Sequence, residues 1–141
     1  MPSRTRWTGA PSHLGSGTVP EAPIEPHWQH RAVDPRAEQL IAAASDLVER
    51  RCDDEHHTVA AAVLTSSGTT VTSMNLHHFT GGTDAEVAAL ARVVSEGEEP
   101  VLIVAVGHDG RGVIPPCGRC RQVMSDQFPA IEVVIDDDGR T

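Results

Sequence analysis

A chain of 141 residues has the size of one domain and can bury a core without disulfide staples. Twenty acidic against eleven basic residues give a formal net charge of −9, a field that gathers neither phosphate backbones nor anionic lipid, which argues against nucleic acid or a membrane surface as partner. Lysine is absent, so Schiff-base and P-loop lysine chemistry are excluded. No apolar run has the length of a signal peptide or a bilayer span, and the expected location is cytoplasmic.

Residues 1–31 hold five of the ten prolines and three of the twelve glycines with little hydrophobic periodicity, which predicts a flexible Pro/Gly-rich arm ahead of one domain over 32–141. Arg4, Arg6 and Arg31 nearly balance Glu21 and Glu25, so the acidic excess belongs to the domain. Asp34 followed by Pro35 marks a helix start, and Leu40, Ile41, Ala44, Leu47 and Val48 recur at helical spacing to about Arg51. Two extended stretches follow, Thr58 to Leu64 and Thr69 to Asn75, joined by a turn at 65–68. They predict an antiparallel hairpin whose alanines pack tightly on one face.

The segment after Thr83 is rich in helix formers and stops at Gly97, and the apolar run at 101–106 suits a buried strand. A short helix is expected from about Cys117 to Gln127, then a β-branched strand over Ile131 to Ile135 and an acidic turn. The order α, β, β, α, β, α, β predicts an α/β fold, a three-layer α/β/α sandwich around a mixed sheet with four strands.

Of three cysteines, Cys52 stands apart with no sign of a ligand or nucleophile. Cys117 and Cys120 lie in PPCGRC at 115–120, at a predicted helix start whose backbone N–H groups and dipole favour deprotonated sulfur and hence a soft metal. The same spacing serves thiol redox enzymes, or two small buried residues, so a third ligand decides. Asp84 and Glu86 open the preceding helix, placing a carboxylate at one helix tip beside the cysteines at another. Asp84 is equally suited to capping that helix, and Glu86 to complementing its dipole.

The combination of a ligand-x-Glu motif with a later Pro-Cys-x-x-Cys resembles the zinc-dependent cytidine deaminase superfamily. NLHHFTGGTDAE at 75–86 and GHDGRGVIPPCGRCRQVMSDQFPAIEVVI at 107–135 are most similar to blasticidin S deaminase, over a stretch from about Val59 to Ile135. The resemblance implies a Zn2+ cofactor on Asp84, Cys117 and Cys120, with Asp84 standing where the family carries cysteine or histidine. It implies Glu86 as proton shuttle and Asn75, His77, Ala85 and Pro116 at the substrate. His77 occupies a position held by glutamate in ordinary cytidine deaminases and by tyrosine in the blasticidin enzyme. One carboxylate and two thiolates around a dication leave a single negative charge, which Arg119 can offset.

The implied reaction is hydrolytic deamination of a cytidine-like aminopyrimidine nucleoside, either cytidine, deoxycytidine or a blasticidin S type compound, to its uracil form with release of ammonia. The implied assembly is a homotetramer, and the family's final strand, helix and tail are expected to be missing after Thr141. The rival reading is a non-catalytic deaminase-fold binding or assembly protein with a degraded metal site. Thiol redox chemistry is disfavoured, because no tryptophan precedes the cysteine pair as in thioredoxins. Gly81 and Gly82 are expected to turn the chain sharply into the metal helix. His77 and His78, as strand-end neighbours, are expected on opposite faces. Phe79 reads as core or base-stacking, and Phe128 as packing.

Overall fold

The computed structural model describes residues 34–53, 55–137 and 141; the segment expected to form an arm lies outside them. Helix α1 (Pro35–Arg51) starts where Asp34 accepts the backbone N–H of Arg36 at 2.9 Å, with proline in the first turn. Its buried residues Ala37, Leu40, Ala44 and Val48 fall at helical spacing along one stripe. Strand β1 (Val59–Thr65) pairs antiparallel with β2 (Thr70–Met74) on one side and with β3 (Pro100–Gly107) on the other. Helix α2 (Ala85–Ser95) crosses from β2 to β3. Strand β4 (Gly112–Val113), helix α3 (Gly118–Gln127) and strand β5 (Glu132–Val133) complete the described fold.

The sheet is mixed, as expected: β5 runs parallel to β3, with Leu102 opposite Glu132 and Ile103 opposite Val133, while the other pairings are antiparallel. It has five strands where the sequence predicted four. The extra one, β4, pairs Val106 with Val113 and Gly107 with Gly112. Two residues, one a glycine at φ +61°, are too few for any alternation to be seen. The last strand is also shorter than the β-branched run suggested.

Alternate residues of β1 and β3 feed two cores. Ala60, Ala62, Leu102, Val104 and Val106 pack with the buried stripe of α1, and Ala61, Val63 and Ile103 pack with Ala85, Ala89, Leu90 and Val93 of α2 and Cys120 and Met124 of α3. This is the three-layer α/β/α arrangement. The β1 alanines therefore serve both faces rather than one, letting a helix sit close on each side of the central strand. No helix among the described residues is long and apolar enough to cross a membrane.

Candidate metal centre

The second core delivers the site. Burying Ala85, Ala89, Leu90 and Val93 fixes α2 on the sheet, and burying Cys120 and Met124 fixes α3 beside it. The two helices thereby present Asp84 and Cys117, each the N-cap residue of its helix, to the same space. Cys117 Sγ lies 3.4 Å from Cys120 Sγ and 4.0 Å from Asp84 Oδ2. All three donor atoms fall within 4.8 Å of one another. Around a tetrahedral ion with Zn–S near 2.3 Å, two thiolates stand about 3.8 Å apart and sulfur and oxygen about 3.6 Å. The Cys117–Cys120 and Cys117–Asp84 separations lie within a few tenths of an ångström of these values, and two sulfurs and one oxygen suit zinc.

Asp84 makes no side-chain capping bond to α2; its oxygen faces the sulfurs instead. Cys117 does cap α3, accepting the backbone N–H of Cys120 at 3.4 Å, and that contact keeps both sulfurs in one turn. Arg119 donates to the Gly82 carbonyl at 3.2 Å and sits 3.6 Å from Asp84 Oδ2. It thus bridges the start of α3 to the loop that carries Asp84.

Glu86, in the first turn of α2, is 8% exposed and one of two buried polar residues in the described core. Burial pushes its carboxyl above the usual carboxylate range, and the nearby Asp84 adds to this, against opposing hydrogen bonds from its own backbone N–H and the Cys120 thiol. Burial, followed by the charge of Glu86, likewise pushes the Cys120 thiol up. The Glu86 carboxyl therefore stands next to the donor triangle. Beside it runs a narrow crevice lined by Ala105, Ile114, Pro116 and Met124 among others. Ala85 is buried at the head of α2. A larger cavity of about 550 Å³, at Thr58, His108, Asp109 and Arg111, holds none of the donors, so ligand chemistry rather than volume marks the site.

The remaining sequence candidates are placed differently. Asn75 follows β2, and its Oδ1 accepts the N–H groups of Thr58 and Val59, each at 2.9 Å, while Nδ2 donates to the His56 carbonyl at 2.9 Å. Those bonds use both lone pairs of the oxygen and one of the two amide hydrogens, so the observed work of Asn75 is to hold the entry of β1. Sequence reasoning passed over this role and over His57, whose Nδ1 meets the Asn75 carbonyl at 3.0 Å. The histidine doublet at 56–57, just ahead of a strand, was the available signal.

His77 and His78 are not on opposite faces of a strand. The strand has ended at Met74, and both lie exposed on a loop pinned at its base by reciprocal Leu76–Thr83 backbone bonds of 2.9 Å. Phe79, on the same loop, is 89% exposed and is not core. Phe128 does pack against the second core. Gly81 takes φ +98°, and Gly82 lies so close to Leu76 that an added Cβ would stand 1.7 Å from its carbonyl oxygen. The sharp entry into α2 is as expected.

The α/β/α sandwich thus sets a sulfur–sulfur–oxygen donor set that could hold a metal ion at two helix starts, with a buried glutamate beside it. No family model matches the sequence. Over 65 residues the chain is 39% identical to a cytidine deaminase of Halalkalibacterium halodurans, a match covering 45% of this chain and 49% of that protein. It thus spans about half the length of that curated relative. The crystal structure of cytidine deaminase from Mycobacterium tuberculosis is 30% identical, covers 73% of this chain and 85% of its own, and superposes with a TM-score of 0.59. The Burkholderia pseudomallei cytidine deaminase gives 30% identity, 70% and 82% coverage and a TM-score of 0.59. The Mycobacterium leprae enzyme shares the fold at 23% identity, 72% and 89% coverage and a TM-score of 0.61. The chain belongs to the cytidine deaminase family.

Proposed function

We propose that this protein is a zinc-dependent hydrolytic deaminase of cytidine-like aminopyrimidine nucleosides (cytidine, deoxycytidine or a blasticidin S type compound), releasing ammonia and the uracil form. The observation that carries the reading is the convergence of Asp84, Cys117 and Cys120 next to the buried Glu86. Those three residues would hold a zinc ion, which would supply a water acidic enough to ionise near neutral pH. Glu86 is the group that moves protons. Its burial raises the carboxyl toward the range in which a proton is both taken and returned, first from water and then to the ring nitrogen and the departing amine.

Ala85 and Pro116 frame the base, and Arg119 orients Asp84 and offsets the excess negative charge of the donors. Asn75 and His77 are assigned to the sugar side, Asn75 through its remaining amide hydrogen. Family membership supports a nucleoside substrate, a homotetramer and a cytoplasmic location. The test is zinc content together with ammonia release from cytidine, deoxycytidine and blasticidin S. About one zinc per chain is expected, with turnover of at least one of the three. Glu86→Gln is expected to keep the zinc and lose turnover by roughly 10²-fold or more. Undiminished turnover in Glu86→Gln refutes the mechanism.

A further inference from the structure

The donors of this centre respond differently to an oxidant. Asp84 offers oxygen, which peroxide leaves unchanged, whereas both sulfurs sit within one helical turn, 3.4 Å apart. They are also unequal: Cys117 is exposed at the tip of α3, while Cys120 is 1% exposed and packed into the second core. Cys52, the third thiol, caps the far end of α1 and takes no part in the donor cluster. A centre with three sulfurs keeps one after any single disulfide forms. This centre keeps none.

We propose that Cys117 and Cys120 form a peroxide-sensitive dithiol that switches the site between a metal-binding and a metal-refusing form, an inference that rests on the metal reading above. The Cys117 sulfur attacks hydrogen peroxide; an S–O bond forms, the O–O bond breaks, and a sulfenic acid and one water result. The Cys120 sulfur then attacks the Cys117 sulfur; the S–S bond forms, the S–O bond breaks, and hydroxide leaves as a second water with the Cys120 proton. Together the two sulfurs lose two electrons and one peroxide is reduced to two waters. Exposure sets the order, since solvent-borne peroxide reaches Cys117 while Cys120 is placed only to resolve. In the product Asp84 is the sole remaining donor, against the three protein ligands that a catalytic zinc site uses. A dithiol reductant reverses the step.

The experiment uses the full chain, reduced, stripped of metal by a chelator and treated with hydrogen peroxide. Free thiols, intact mass, zinc uptake and the melting transition are then measured. Of the three cysteines, one free thiol is expected to remain, with a mass about 2 Da lower. Zinc uptake is expected to fall at least tenfold and to recover with dithiothreitol, while melting stays cooperative. Cys52→Ser is expected to respond as the parent does. Cys120→Ser is expected to stop at a sulfenic acid on Cys117, about 16 Da heavier and trapped by dimedone. Retention of all three thiols, further oxidation of Cys117 without an S–S bond, or normal zinc uptake by the disulfide form overturns the switch while leaving the deaminase reading intact. Failure of the reduced protein to take up zinc overturns the metal reading itself, and the switch with it.

Discussion

The loop that leads into Asp84 is held by a close approach which a single methyl group breaks. In Gly82→Ala the new Cβ would lie 1.7 Å from the Leu76 carbonyl oxygen and 2.8 Å from its carbon. Both are backbone atoms that cannot swing aside, so the loop base must open by more than an ångström. Opening it breaks the reciprocal bonds between Leu76 and Thr83, both 2.9 Å, and pulls the Gly82 carbonyl from Arg119. At about 1 kcal/mol for each bond lost, with residual strain added, the expected cost is about 2–4 kcal/mol. For a domain of this size that lowers Tm by roughly 10–20 °C.

Asp84 is two residues further on, so the same displacement moves its oxygen away from the sulfurs. Zinc affinity, read by competition with a chromophoric chelator, is expected to fall at least tenfold in the population that remains folded. Gly81→Ala is the control. Its φ of +98° makes alanine strained, but nothing lies within 4 Å of the added carbon, so it is expected to cost on the order of 1–3 kcal/mol and to leave zinc affinity within twofold. If Gly82→Ala melts within about 3 °C of the parent and binds zinc equally well, the loop base does not position Asp84 and the reasoning fails.

Two further substitutions separate ligand from scaffold. Asp84→Cys replaces oxygen by a third thiolate and is expected to slow zinc loss to a competing chelator, whereas Asp84→Ala is expected to accelerate it; equal loss rates in both variants contradict ligation by residue 84. Asn75→Ala removes the acceptor of two backbone N–H groups and the donor to His56. It is expected to cost about 2–3 kcal/mol, seen as a lower urea midpoint at unchanged m-value, in addition to any rise in KM. A raised KM with an unchanged midpoint contradicts the structural role.

What the sequence reveals of this molecule follows from how each signal is carried. The helices were legible because periodicity and caps are local: Asp34–Pro35 fixes the start of α1, and the Leu40, Ala44, Val48 stripe fixes its inward face. The strand run at 101–106 was legible because a strand covered on both sides is apolar throughout. The donor set was legible because its spacing is chemical rather than conformational. Strand β4 was not, since two residues paired to the end of β3 have no pattern of their own. The β1 alanines were read as one-faced because composition shows that a residue is small, and only the two flanking helices show from which sides smallness is required. The structural role of Asn75, beside the substrate role that the resemblance implies, was not legible because its backbone partners lie 16 to 19 residues away. No local pattern announces a side chain that staples one strand end to another. Of the two readings of Phe79 the structure excludes core, because hydrophobicity predicts burial only on average and the loop pinned at Leu76 and Thr83 holds that ring away from both cores.

The most informative comparison within the molecule is between two aspartates in the same local position. Asp34 precedes α1 and Asp84 precedes α2, each with extended backbone angles, φ −73° and −68°. Asp34 behaves as physical chemistry expects of an N-cap and takes the backbone N–H of Arg36 at 2.9 Å. Asp84 has the same opportunity, worth typically about 1 kcal/mol, and leaves it unused, turning its oxygen to within 4.0 Å of Cys117 Sγ and 3.6 Å of Arg119. The two positions share φ but differ in ψ, 116° at Asp34 against 150° at Asp84. The neighbours differ too: Asp34 also pairs with the Arg36 guanidinium at 2.6 Å, whereas Asp84 lies between the Cys117 sulfur and the Arg119 guanidinium. An aspartate that forgoes its cap and turns toward a cysteine sulfur is free to serve as a ligand, which favours the ligand reading proposed for residue 84 over the capping one.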